Sequence, residues 1–374
     1  MYYDERKKER DTGQMPKYQM LAEWLQQKIA EGFYQPGKKL PSEQELQAQF
    51  SVSRQTVRRA LGVLERQGFV RSRQGSGTFV TDAEAEEKSR SRRIAVVTTY
   101  VDNYIFPRII RGIEKVLSDQ GFQVQIAFTN NRIWREEAVL ADLLKQDLGG
   151  LIIETTRSAL PNPNLALYRE LQSRKIPILF LNSSYPELTC PMVALQDEMA
   201  GRCAAQYLIE HGHRKLGGLF KRDDGQGIRR YRGFMEAVRD AGIRPCEDGI
   251  LWFDTEDTLA FGRLEQAVAE RLGSCTGVLC YNDSAAFEVM EIWKRHGISV
   301  PGDVSVVSVD NTDLAVLGEV GLTSVHHPKE ALGEKAAEML LSMIRTGIPG
   351  CTYEFEARLV ERDSVKKIGG TTEL

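Results

Sequence analysis

Long apolar runs are what this 374-residue sequence most plainly lacks. No stretch approaches the roughly 18 consecutive apolar residues that a membrane span needs, and the charged opening MYYDERKKER leads into no apolar segment of the kind that directs export. A cytoplasmic protein without membrane contact is expected. Cysteine is sparse, and Cys190, Cys203, Cys246, Cys275, Cys280 and Cys351 form no C-x-x-C pair. That spacing argues against a zinc ribbon or a disulfide framework and leaves reduced core thiols. His211 and His213 stand two apart, but Gly212 between them closes a helical pattern, so helix C-terminal chemistry is expected there and no metal. Also missing from any strand–turn–helix setting are a G-x-S-x-G elbow, a Walker loop, an H-E-x-x-H pair and a dinucleotide fingerprint. Neither an enzyme nor a bound cofactor is expected.

What is present is uneven charge and dense local pattern. The first 80 residues hold 14 Lys and Arg against 9 Asp and Glu, whereas the remainder holds 35 against 43. A basic head before an acidic body suits nucleic-acid contact by the head alone. The length exceeds one ordinary core, so two or three domains are expected. Residues 1–15 carry no apolar periodicity and read as a flexible tail; 16–80 read as the head, 81–92 as a charged linker, 93–365 as the body and 366–374 as a second tail.

In the head, Leu21, Trp24, Leu25 and Ile29 mark an amphipathic helix over 18–29. Ser42, with Glu45 three residues on, forms a capping-box pattern that opens a second helix. Apolar residues from Leu46 to Leu64 fit two short helices broken near 51–53, with Ser53 capping the later one. Arg54, Gln55, Arg58 and Arg59 then fall on its exposed early turns, as a recognition helix in a major groove requires. Residues 68–73 and 78–80 alternate like two strands joined by Gln74-Gly75-Ser76-Gly77, a hairpin with a tight tip. Helix, turn, helix, helix, hairpin is the winged-helix order.

From residue 94 on, short apolar runs at 94–97, 124–128, 150–153, 177–181, 217–220, 277–281 and 304–309 alternate with helical patterns at 109–117, 135–144, 199–211, 231–241, 259–272 and 285–296. Repeated strand–helix units predict α/β lobes with parallel sheets, and a body of this length predicts two. Ligands of such folds sit beyond the carboxyl ends of the strands. The loops there mix Asp, Asn, Lys, Arg and aromatic residues, which suits a polyhydroxyl ligand such as a sugar.

The segments P-K-Y, L-P-S-E-x-E-L, V-S-R-x-T-V-R-x-A-L, L-x-x-x-G-F-V and G-x-G-T-F-V occur in order, and on them the head resembles the GntR-type winged-helix domain. The resemblance implies a DNA surface. Arg54 and Arg58 would touch base edges or phosphates, with Gln55 and Thr56 in the same groove. Lys17 would lie on the backbone and Gln74 and Gly75 in the minor groove, with Ser42, Glu43, Ser53, Ser76 and Gly77 completing the contact.

On residues 92–97, 208–215, 230–234, 281–283, 304–310, 322–325 and 359–365 the body resembles the LacI/GalR-type, periplasmic-binding-protein-like effector domain. This implies Tyr100, Tyr104, Phe106, Glu154, Asn182, Arg230, Asn282, Asp310 and His327 around a ligand, with Lys221 and Asp223 as additions. Glu154 and Lys221 make that cavity more charged than a plain glucoside pocket. For Asp310 a turn-capping carboxylate is the structural alternative, and for Arg230 a helix salt bridge. The combination of the two domains resembles the bacterial repressors that respond to L-arabinose. It implies a repressor released by that sugar, and because one winged helix buries too little surface for high specificity, a homodimer on a pseudo-palindromic operator is expected. An activator responding to another small polar ligand, or a sugar-binding protein, is the alternative.

Overall fold

The computed structural model describes residues 16–66, 68–73, 76–81, 91–101, 104–244 and 246–369. They fall into two compact units, a head and a body. Among the described residues no helix is long and apolar enough to cross a membrane.

In the head, α1 (Lys17–Ala30) buries Leu21, Ala22 and Leu25. α2 (Glu43–Phe50) opens on the capping box: the Glu45 amide donates to Ser42 Oγ at 3.3 Å, and the Ser42 amide donates to Glu45 Oε2 at 2.6 Å. Two amides that the helix itself cannot satisfy thereby gain acceptors. Ser51, left-handed at φ 50, ends α2. Ser53 Oγ then accepts from the Thr56 amide at 3.2 Å at the start of α3 (Arg54–Arg66). Strands β1 (Val70–Arg73) and β2 (Gly77–Val80) pair antiparallel, with Val70 opposite Val80. Leu25, Leu40, Leu46, Val57, Leu61, Leu64, Val70 and Val80 form one core under these elements. The result is a winged helix. Gln74 and Gly75 of the wing tip lie outside the described residues.

The body holds two six-stranded sheets. The first runs β13-β7-β6-β5-β3-β4 and is parallel throughout. Its strands are β3 (Arg93–Thr98), β4 (Gln123–Phe128), β5 (Gly150–Glu154), β6 (Ile178–Leu181), β7 (Met192–Leu195) and β13 (Tyr353–Phe355). Successive side chains serve opposite faces. Ile94, Val96 and Ile152 pack on α4 (Phe106–Asp119) and α12 (Lys329–Thr346), while Ala95, Val97, Leu151 and Ile153 pack on α5 (Ile133–Leu143) and α6 (Leu165–Ser173).

The second sheet runs β14-β12-β11-β10-β8-β9. It joins β8 (Leu216–Lys221), β9 (Ile250–Phe253), β10 (Gly277–Cys280), β11 (Ser305–Asp310) and β12 (Thr323–His326) in parallel, and β14 (Arg358–Val360) antiparallel to β12. α7 (Asp197–Glu210) and α8 (Gly225–Asp240) cover one face, and α10 (Asp283–Arg295) the other. The chain passes between the lobes from β7 to α7, from β12 to α12 and from β13 to β14.

Several elements differ from the sequence reading. The helix expected over 259–272 is broken into α9 (Thr255–Leu259), a 3-10 turn, a three-residue helical piece and a π turn. Strands β7, β9, β12, β13 and β14, with helices α6 and α12, were not predicted. These strands are three or four residues long, too short for a period of two to stand out, and unlike the equally short β6 and β10 they were not marked out as apolar runs.

Candidate functional site

Two surfaces carry chemistry. In the head, Arg54 and Arg58 stand one turn apart on α3, with side chains 66% and 62% exposed. Both reach back to α2, where Arg54 Nε and Arg58 Nε each donate to Glu43 at 2.9 Å. These hydrogen bonds hold the Glu43 carboxyl below its ordinary range. Glu43 thus fixes two guanidinium forks on one exposed face, in the planar arrangement that suits phosphate or a guanine edge.

Ser42, Ser53 and Gln55 are also exposed, and Ser53 and Thr56 join their hydroxyls at 2.9 Å. Lys17 opens α1, exposed; Ser76 and Gly77 are exposed on the hairpin. Arg59 differs from its neighbours, because its guanidinium lies 4.1 Å from the centre of the Tyr18 ring and helps pack α3 on α1.

In the body, a cleft of about 620 Å³ opens where the strands of both sheets end. Thr99 and Tyr100 follow β3, Glu154 closes β5, and Asn182 follows β6; across the cleft stand Lys221 at the end of β8, Tyr281 and Asn282 after β10, Asp310 at the end of β11, and His327 after β12. Parallel strands within each sheet all deliver their carboxyl ends to one side, so ten of the eleven expected ligand residues line one cavity.

Its floor is a network of buried charges. Glu154 accepts from the Thr99 amide at 3.0 Å, from the Thr99 hydroxyl and from Asn182 Nδ2 at 2.8 Å, and burial raises its pKa. Lys221 Nζ donates to Asp224 Oδ2 at 2.6 Å; burial opposes the ammonium, but Asp224 and Asp223 outweigh it and raise the pKa. Arg230 Nε donates to Asp197 Oδ1 at 2.9 Å, Nη1 to the Tyr281 carbonyl at 2.6 Å and Nη2 to Asp310 Oδ1 at 3.4 Å. Arg230 therefore makes the helix ion pair and also faces the cavity.

Tyr104 crosses the cleft. Its hydroxyl donates to Asp310 Oδ2 at 2.5 Å and accepts from the Asp283 amide at 3.2 Å. Asp310 is held in the left-handed region at φ 102, with its carboxylate bound by Tyr104 and Arg230. That differs from a simple turn cap. Burial lowers the His327 pKa to about 4, so the ring is neutral near pH 7. Its Nε2 lies 3.3 Å from Asn182 Oδ1. Three buried lining atoms, Thr155 Oγ1, Gln226 Oε1 and His327 Nδ1, find no hydrogen-bond partner among the described residues.

Asp223 is the exception to the expected set. It turns away from the cavity lining and accepts from the Thr255 amide at 3.1 Å and the Thr255 hydroxyl at 2.6 Å, so it anchors the start of α9. Its neighbour Asp224 lines the cavity instead. Asn282 lines the cavity while its Oδ1 caps α10 through the Ala285 amide at 2.9 Å. Sequence reasoning also missed Thr155, Asp197, Gln226 and Tyr281. Thr155, Tyr281 and Asp224 sat in loops after the strands, already read as ligand-facing, but nothing local told which side chain of each loop turns inward.

Residues 17–80 match the family model described as bacterial regulatory proteins, gntR family. Residues 205–365 match the periplasmic binding protein-like domain. The chain is 39% identical to the arabinose metabolism transcriptional repressor of Geobacillus stearothermophilus, over 95% of this chain and 99% of the relative. It is 38% identical to the protein of the same name from Halalkalibacterium halodurans, over 88% and 89%. Among solved structures, the transcription regulator CcpA of Lactococcus lactis superposes with a TM-score of 0.66 at 21% identity, covering 74% of this chain and 100% of that one.

Proposed function

Since the chain belongs to the family of the arabinose metabolism transcriptional repressors, we propose that it holds operator DNA with its gntR-type head and lets go when a sugar, L-arabinose first, enters the cleft of its body. The observation that carries the sugar reading is the cleft lining. Charged pairs, amide groups and unpartnered polar atoms offer both donors and acceptors, and Tyr100, Phe106 and Tyr281 offer ring faces. A pentose presents hydroxyls that both donate and accept, with C–H faces between them.

Both lobes supply lining residues, so a ligand favours the joined lobes. By linkage the same ligand lowers operator affinity only if the DNA-bound state holds it less well. One winged helix buries only about 600–1,000 Å² on DNA. A homodimer on a pseudo-palindromic operator supplies the rest, and sugar binding changes how the paired bodies meet and hence the spacing of their heads. A protein that acts on operator DNA is expected in the cytoplasm. The sugar acts as an effector and is not turned over.

Calorimetric titration with a panel of pentoses and hexoses, beside an operator shift assay, tests this reading. L-arabinose is expected to bind best, to release the operator and to be recovered unchanged. Tighter binding of another sugar, or an operator complex that L-arabinose leaves intact, moves the reading to a different effector.

A further inference from the structure

The passages of chain between the lobes all lie at one edge of each sheet, at β13 and β7 in the first and at β14 and β12 in the second. β4 and β9 form the opposite edges. A hinge motion about the passages therefore carries the ends of β4 and β9 furthest, and contacts made there have the longest lever against opening.

Those two edges are clasped together. Asn131, in the loop after β4, donates from Nδ2 across to the second lobe, to Asp224 Oδ1 at 3.0 Å and to Thr255 Oγ1 at 2.7 Å. Arg132 beside it and Arg157, in the loop after β5, both donate to Glu256 Oε1 on the first turn of α9, Arg157 at 2.5 Å. Burial opposes the Glu256 carboxylate, but the Arg157 hydrogen bond outweighs it and holds the pKa below the ordinary value. Ser158 Oγ accepts from the Gly225 amide at 2.8 Å. Elsewhere the lobes meet through Tyr104 on Asp310, as above, and through Arg108, which donates to Asp313 Oδ1 at 2.8 Å just before α11 (Leu314–Leu317).

The first-lobe side of the clasp is preset. Asn130, Asn131 and Arg157 have φ of 51, 53 and 46, in the left-handed region, which asparagine tolerates and arginine rarely adopts. Arg157 is held there by its amide, which donates to Asn131 Oδ1 at 2.8 Å, and by its Nε, which donates to the Asn131 carbonyl at 3.1 Å. Backbone strain persists where the surroundings fix it, and it gathers at clamps and switches. Yet Asn131, Arg132, Arg157, Thr255 and Glu256 are not among the residues that line the cavity.

We propose that Asn131, Arg132, Arg157 and Glu256 form a clasp that sets how tightly the body binds its effector without touching it. They are positioning residues: they hold the lobes in the arrangement in which both sets of lining residues face one ligand. Where that arrangement is only partly populated, the dissociation constant rises by the reciprocal of the populated fraction. Entry needs the lobes apart, so a weaker clasp speeds association, and it speeds dissociation more. The inference rests on the reading of the cleft as the effector site.

Glu256→Ala removes the shared acceptor, and Glu256→Arg sets a third guanidinium beside the other two. The Glu256 side chain is 42% exposed, and circular dichroism checks that both variants fold. In calorimetry and stopped-flow titration of the full chain with L-arabinose, the dissociation constant is expected to rise about fivefold to tenfold in Glu256→Ala and further in Glu256→Arg, with association and dissociation both faster. Hydrogen exchange without ligand reads the same motion. Asp283 follows β10, two strands from β9 in the sheet, and its amide donates to the Tyr104 hydroxyl of the other lobe. That amide should exchange faster in both variants, which loosening confined to residues 254–257 would not cause. Wild-type exchange at Asp283, or wild-type arabinose affinity, in both variants overturns the inference and leaves the arabinose reading standing. A wild-type chain that binds no L-arabinose removes that sugar reading, and exchange at Asp283 then decides the clasp by itself.

Discussion

Arg230 joins stability to the cleft in one side chain, since its guanidinium neutralises buried Asp197 and approaches Asp310. Removing one partner of a buried pair strands the other charge, so Arg230→Ala should lose about 3–5 kcal/mol in urea unfolding, besides any effect on ligand. In the head the opposite holds. Arg54 is exposed and, among the described residues, pairs with half-buried Glu43, so Arg54→Ala should leave stability nearly unchanged and weaken operator binding by about 1–3 kcal/mol in a shift assay. His327 gives a pH dependence. Burial holds its folded pKa near 4, below the ordinary 6.5, so between those values the unfolded chain binds a proton that the native chain refuses. Stability from this group is full above pH 6.5 and falls with acid. From pH 7 to pH 5 it should fall by about 2 kcal/mol in the wild type relative to His327→Gln. Glu154 and Asp283, whose pKa values burial raises, pull the other way, which is why the comparison with the variant is needed.

At the scale of elements, the place of Arg230 depends on how closely α7 and α8 approach. A Cβ on Gly233 would stand 1.8 Å from the Glu198 carbonyl oxygen, and one on Gly201 2.0 Å from the Arg230 carbonyl oxygen. Both obstacles are backbone, so the helices must move apart. Gly233→Ala should therefore cost about 1–3 kcal/mol and weaken sugar binding measured calorimetrically, because Arg230 lies one turn earlier on the same helix. The head's elements were legible because their signals are short: the Ser42 and Glu45 box and the Ser53 cap act within three or four residues, and the expected break near 51–53 falls where Ser51 turns left-handed. The body's long strands, such as β3, β8 and β11, were also legible as apolar runs. Of the four-residue strands, β6 and β10 were legible as apolar runs too, whereas β7 and β12 were not, since their state is set by the strand beside them. The run over 259–272 has apolar spacing good enough for one helix, yet packing of Phe261, Val268 and Leu272 into the second-lobe core divides it.

At the scale of the whole molecule, a basic head and an acidic body imply that phosphate contact is confined to the head. The logarithm of operator affinity should fall linearly with the logarithm of salt concentration, and Arg58→Ala should reduce the slope by about 0.9 if that guanidinium neutralises one phosphate. A flat dependence measured by fluorescence anisotropy would reject phosphate-dominated binding. The sequence alone determined that there is a winged-helix reader, that a two-lobed α/β body follows it, and which loops face the cleft. Caps, turns and apolar periods are interactions between near neighbours, and they are written where they act. Only the tertiary structure decided that Asp224 and not Asp223 lines the cavity, that Arg230 serves both an ion pair and the cleft, and that Tyr104 meets Asp310 across 206 positions of chain. Those outcomes depend on which of two adjacent side chains the packing of distant elements leaves room for, and no local pattern carries that information.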